Sequence, residues 1–84
     1  MKSVYFTQHA REQLKARNTT EAEVKWAIQC GKWRGAEKGR LRTSHSFSFM
    51  EKYFGHFYRT KKVEPVFVEQ NTRIIVITVY TYFS

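Results

Sequence analysis

The chain has a single cysteine, a single proline, only seven acidic residues and no long apolar run. Cys30, being alone, excludes a disulfide within the chain, and its place in a helical pattern predicts a small buried hydrophobe rather than a nucleophile. No segment approaches the roughly 18 apolar residues that a membrane-crossing helix needs. The opening MKSVYFTQHA carries neither the apolar run nor the small-residue cleavage site of a secretory signal. A soluble, cytoplasmic protein with no membrane partner is expected. Metal chemistry is poorly provided for, since His9, His45 and His56 are scattered and the cysteine lacks a partner at CxxC spacing. No glycine-rich loop joins a strand to a helix, which argues against nucleotide-triphosphate chemistry. In SHSFS, serine and histidine neighbours point to opposite faces of a strand and cannot form a nucleophile–base pair. Neither a cofactor nor a metal is expected.

What is present is positive charge and aromatic area. Fifteen lysines and arginines give a formal net charge of +8 and a pI near 9.9. A basic domain of this kind attracts polyanions and binds them in a salt-dependent way, because each neutralised phosphate releases counterions. RNA is the expected partner. Residues 1–84 make one domain, near the size at which a folded chain buries about two-thirds of its unfolded surface. Aromatic residues, 17% of the chain, supply large buried areas that offset the short length.

The order of elements follows from caps and periodicity. Val4, Tyr5 and Phe6 lead into Thr7, an N-cap for a helix reaching about Arg17, with Asn18 at the left-handed stop. In TEAE, Thr20 and Glu23 form a capping box, Val24, Ala27 and Ile28 make an apolar face, and Gly31 closes the second helix. GKWRGAEKGRLR reads as a short strand and a basic loop. Phe47 and Phe49 alternate with Ser46 and Ser48, the period of a half-buried strand. VEPVFVEQ is a further strand, in which Pro65 suggests an edge, a bulge or a beginning. RIIVITVYTYF is apolar on both faces, as in a central strand covered on each side. The expected fold is α+β, with two N-terminal helices packed on one face of a mainly antiparallel sheet of about four strands.

His9, Gln13 and Arg17 stack along one side of the first helix beside Ala10 and Leu14. Such a row is either a solvated flank covering the core edge or the rim of an anion site. His9 sits in the first turn, where free amides favour an anion, and Arg17 lies roughly 12 Å further along the axis. Cleavage of RNA by its own 2′-hydroxyl needs only a base, an acid and cations around the phosphorane. Histidine suits proton transfer near neutral pH. His9 and Arg17 are therefore catalytic candidates, with Arg59, Thr78 and Tyr80 assisting; positions 74, 76, 78, 80 and 82 are expected to share a face. Binding falls to Lys32, Arg34, Lys38, Arg40 and Arg42, with Trp33 available to stack on an unpaired base, and to Lys61 and Lys62. The competing expectations are a non-enzymatic nucleic-acid-binding module and a protein-interaction module.

FTQHAREQLKARNTTEAEV and, at the far end, VEPVFVEQNTRIIVITVY resemble a prokaryotic domain-of-unknown-function family. Its pattern is a His-Ala helix, an Arg-Gly turn, a second capped helix and a Val-rich strand closing on Thr-Val-Tyr. Here Arg17 and Asn18 replace Arg-Gly, and residues 35–60 are longer and richer in aromatics. That family looks related to the RelE- and BrnT-type toxins, whose architecture also covers barnase-like and colicin-like ribonucleases. The resemblance implies a toxin-like, metal-independent endoribonuclease and an acidic antitoxin partner.

Overall fold

Two threonines start the helices of the computed structural model, which describes residues 2–84. The Thr7 hydroxyl accepts the Ala10 amide at 3.1 Å and opens α1, Gln8–Ala16. The Thr20 hydroxyl accepts the Glu23 amide at 3.2 Å and opens α2, Glu21–Cys30. Each satisfies an amide that has no partner within its helix. Asn18, at φ 56°, makes the left-handed stop after α1. The capping box forms only by half, because the Glu23 carboxylate turns inward to the Thr19 hydroxyl (2.9 Å) and the Lys61 ammonium (2.8 Å).

Gly31 ends α2 for a reason other than a left-handed turn. Its backbone is extended, φ −79° and ψ 161°. A Cβ there would lie 1.9 Å from Thr43 Oγ1 and 2.8 Å from the Ser44 carbonyl, so glycine is what lets the helix end pass close to this segment. Cys30 is exposed rather than buried. It lies two residues past the buried Ile28, which turns it roughly 200° about the helix axis.

Among the described residues six strands form one mixed sheet, against the expected sheet of about four. They are β1 Ser3–Phe6, β2 Arg34–Gly35, β3 Leu41–Arg42, β4 His45–Tyr53, β5 His56–Glu69 and β6 Arg73–Phe83. The order is β1-β6-β5-β3-β2, and β4 pairs with β5 alongside β3. The Val-Tyr-Phe lead-in is β1 itself, running parallel to β6 with Ser3 opposite Arg73 and Phe6 opposite Val76. Pro65 lies inside a central strand. Its carbonyl accepts the Thr43 amide (3.3 Å) where β3 has ended and β4 has not begun. Its missing N–H therefore falls in a gap of the ladder.

Both helices cover one face of the sheet. Ala10, Leu14, Val24 and Ile28 pack there on Phe6, Val63, Phe67, Ile74, Val76 and Val79. The register between β5 and β6 shifts midway: Val66 faces Thr78 but Phe67 faces Val76, leaving Ile77 as the extra residue of a bulge. The bulge inverts the alternation. Ile74 and Val76 face the helices before it and Val79 after it, so Thr78, Tyr80 and Tyr82 do not share their face as expected. Nor is β6 covered on both sides, since Tyr82 is 50% exposed on the open face.

Past Phe6, α1 replaces β1 along the edge of β6. Thr7 donates its amide to the Val76 carbonyl (3.0 Å) and its hydroxyl to that of Ile77 (3.2 Å). Gln13 Oε1 accepts the Val79 amide at 2.8 Å and the Thr78 hydroxyl. The Thr81 hydroxyl donates to the Arg17 carbonyl at 2.8 Å. These contacts satisfy ladder groups that the bulge and the end of β1 would leave unpaired.

Candidate nucleic-acid interface

The open face begins at the β2–β3 hairpin. Arg34 pairs with Arg42, and Gly35 with Leu41. The turn between them is closed by the Ala36 amide on the Arg40 carbonyl (2.8 Å) and the Arg40 amide on the Glu37 carbonyl (3.2 Å). Lys38 and Gly39 take positive φ, 60° and 71°, which bends the hairpin tightly. Arg42 faces Val66 and Val66 faces Thr78, so one row crosses β3, β5 and β6. The next pair along is Glu64 and Tyr80.

These rows and the hairpin enclose an open basin of about 660 Å³, lined by Lys38, Arg40, Arg42, Glu64, Val66, Thr78 and Tyr80 with residues 35–37. Arg34, Lys38, Arg40 and Arg42 form no ion pair among the described residues. Lys38, Arg40 and Arg42 outnumber the two carboxylates of the lining, Glu37 and Glu64, and an excess of cations raises the local concentration of anions. Thr78 and Tyr80, expected as catalytic, thus share the basin with three of the expected binding cations. Arg17 joins them at the border, its guanidinium 5.8 Å from the Tyr80 ring centre. Glu64 supplies a carboxylate that sequence reasoning missed. Only the pairing register, not any local pattern, places it beside Tyr80. Two further tyrosines on the open face were also missed: Tyr82, with Lys62 Nζ 5.3 Å from its ring centre, and Tyr5, with the Arg73 guanidinium at 5.6 Å.

Other expected site residues lie elsewhere. His9 is exposed, lines no part of the basin, and its ring makes no hydrogen bond among the described residues. The row it shares with Gln13 and Arg17 is divided: Gln13 holds the bulge, Arg17 covers Tyr80, and His9 faces solvent. Arg59 is five residues from Glu64 along β5, roughly 17 Å at strand spacing, and lies outside the lining of the basin. Lys61 is not a free cation. Its side chain is 8% exposed and its ammonium donates to the Asn18 carbonyl (2.7 Å) and to Glu23 Oε1 (2.8 Å). Trp33 is held by its own packing, with Nε1 donating to the Ile28 carbonyl at 2.8 Å and the ring 5.0 Å edge-on to Phe67. Lys32 is exposed beside it, before the hairpin begins.

Fold and site together define a small basic α+β domain with helices on one face of its sheet and a cationic, tyrosine-bearing face left open. Residues 6–81 match the profile of a domain of unknown function, DUF4258, and the chain belongs to that family. The match carries no link to RelE- or BrnT-type toxins. Comparisons with curated proteins and with solved structures return no match. Among the described residues, no helix is long and apolar enough to cross a membrane.

Proposed function

We propose that this protein is a toxin-like endoribonuclease that takes RNA into the basin beneath the β2–β3 hairpin and cleaves it without a metal. The observation that carries the reading is the meeting in one basin of unpaired Lys38, Arg40 and Arg42 with Glu64, Thr78 and Tyr80. In the reaction, the 2′-oxygen bonds to the adjacent phosphorus, its proton passes to the Glu64 carboxylate, and the 5′-oxygen departs with a proton from the Tyr80 hydroxyl. Arg40 and Arg42 stabilise the charge that builds on the phosphorane oxygens. Acid–base assistance of this kind contributes roughly a hundredfold to ten-thousandfold. Glu64 takes the role expected of His9, whose ring lies outside the lining. Two N-terminal helices on one face of a sheet that is antiparallel apart from β1 also agree with kinship to RelE- and BrnT-type toxins, and the uncompensated charge suits an acidic antitoxin in the cytoplasm.

The position of His9 outside the basin favours one competing reading, an RNA-binding module without cleavage. Incubating the protein with total RNA in the presence of a chelator separates the two. The enzyme yields discrete fragments ending in cyclic phosphate, and Glu64→Gln abolishes them while RNA is still bound. Salt-sensitive binding with intact RNA selects the module. Absence of binding at low salt refutes both.

A further inference from the structure

We infer that Tyr80 and Tyr82 form a two-base stacking platform, so that the strand entering the basin is unpaired RNA. This rests on the RNA reading of the basin and adds the class of RNA and the residues that select it. Both rings stand on the open face of β6, 39% and 50% exposed, after the Ile77 bulge has turned them away from the helices. Two residues apart on one strand, their Cα atoms lie roughly 6.6–6.8 Å from each other. That is about twice the ~3.4 Å rise between neighbours along one strand of a duplex. Successive bases seated on the two rings are therefore pulled apart from one another, a geometry open to a flexible single strand and closed to a duplex, whose base faces are already stacked.

Each ring also has its own cation. Arg17 lies 5.8 Å from the centre of the Tyr80 ring and Lys62 5.3 Å from that of Tyr82. The two cations flank β6 from opposite sides, Arg17 from the end of α1 and Lys62 from β5, and a base stacking on either ring meets a cation there that can turn to its phosphate. Across the strands, Lys62 faces both Tyr82 and Ser46. The row next to the platform is thus polar, Lys62 with the exposed Ser46.

The test is binding of a short 2′-O-methyl RNA, which lacks the attacking hydroxyl and cannot be cleaved by that route, presented single-stranded or annealed to its complement. Base–aromatic stacking of roughly 1–3 kcal/mol per base corresponds to about five- to 150-fold in affinity. The single strand is expected to bind at least about tenfold more tightly than the duplex. Tyr82→Leu is expected to remove at least about fivefold of single-strand affinity and leave duplex binding unchanged, whereas Tyr82→Phe keeps the parental value. Equal binding of single strand and duplex by the parent overturns the platform, and this comparison stands even if the leucine variant does not fold. A folded Tyr82→Leu that binds the single strand as the parent does also overturns it, while continued cleavage of natural RNA leaves the basin reading intact. Failure of the parent to bind either RNA at low salt defeats the basin reading itself, and the platform with it.

Discussion

Replacing Gln13 by leucine is expected to destabilise the protein by about 2 kcal/mol, because one side-chain oxygen serves two donors at the β6 bulge. Gln13 Oε1 accepts the Val79 amide at 2.8 Å and the Thr78 hydroxyl. Val79 is fully buried, so its orphaned amide cannot turn to water. A buried donor left without a partner costs about 1–3 kcal/mol, and the lost hydroxyl bond about 0.5–1.5 kcal/mol more, less whatever solvent restores to Thr78. For a domain of this size, 2 kcal/mol lowers Tm by roughly 8–16 °C. Urea unfolding followed by circular dichroism measures the change directly. Gln13→Glu, which keeps an acceptor in place, should retain most of the stability. Combining Gln13→Leu with Thr78→Val should show about 1 kcal/mol of coupling, since both variants delete the same hydroxyl contact. His9→Ala, on the same helix row but in solvent, should change stability by no more than about 0.5 kcal/mol. A Gln13→Leu protein as stable as the parent, or a His9→Ala protein equally damaged, refutes the assignment of this row.

Gly31→Ala should cost about 2–4 kcal/mol, because the new Cβ would meet two backbone carbonyls as well as Thr43 Oγ1; Thr43→Ala should then restore only part of the loss in thermal unfolding. Lys61→Met should lower stability by about 2–3 kcal/mol through the stranded Glu23 carboxylate yet leave RNA affinity within about twofold, and an equal fall in affinity for Lys61→Met and Lys62→Met would contradict the separation of these neighbours. Phe54→Asn should raise Tm by a few degrees, since Phe54 (φ 51°) and Gly55 (φ 80°) make a two-residue hairpin loop suited to Asn-Gly and the phenyl ring is 85% exposed; an unchanged or lower Tm would mean that its ring contact with Tyr53 outweighs the backbone strain.

The caps were legible in the sequence because both partners lie within one turn: Thr7 with Ala10, Thr20 with Glu23, and Asn18 acting through its own backbone. The alternation of Phe47 and Phe49 with Ser46 and Ser48 was equally local, and the structure keeps both rings half-buried and both serines exposed. Basic character required no tertiary knowledge either, but the segment that concentrates it was expected as one short strand and a loop, and folds as the β2–β3 hairpin. The bulge at Ile77 was not legible, since it is defined by register against β5 and by a glutamine 65 residues away from Thr78. That displacement of one residue decided which face Tyr80 and Tyr82 occupy, and hence which side chains can share a site.

By itself, the sequence determined the two capped helices, the strand-forming segments and the excess of positive charge, because these depend on neighbours a few bonds away or on composition alone. Tertiary structure alone decided the rest. Ser3–Phe6 becomes a strand only because β6 offers it a parallel edge. Lys61 and Lys62 are chemically identical neighbours, yet strand geometry sends one inward to Glu23 and the other outward over Tyr82. Glu64 reaches the basin through its pairing with Tyr80. In each case the deciding contact joins residues far apart in the chain, and a periodicity read along one segment carries no information about the register it adopts against another.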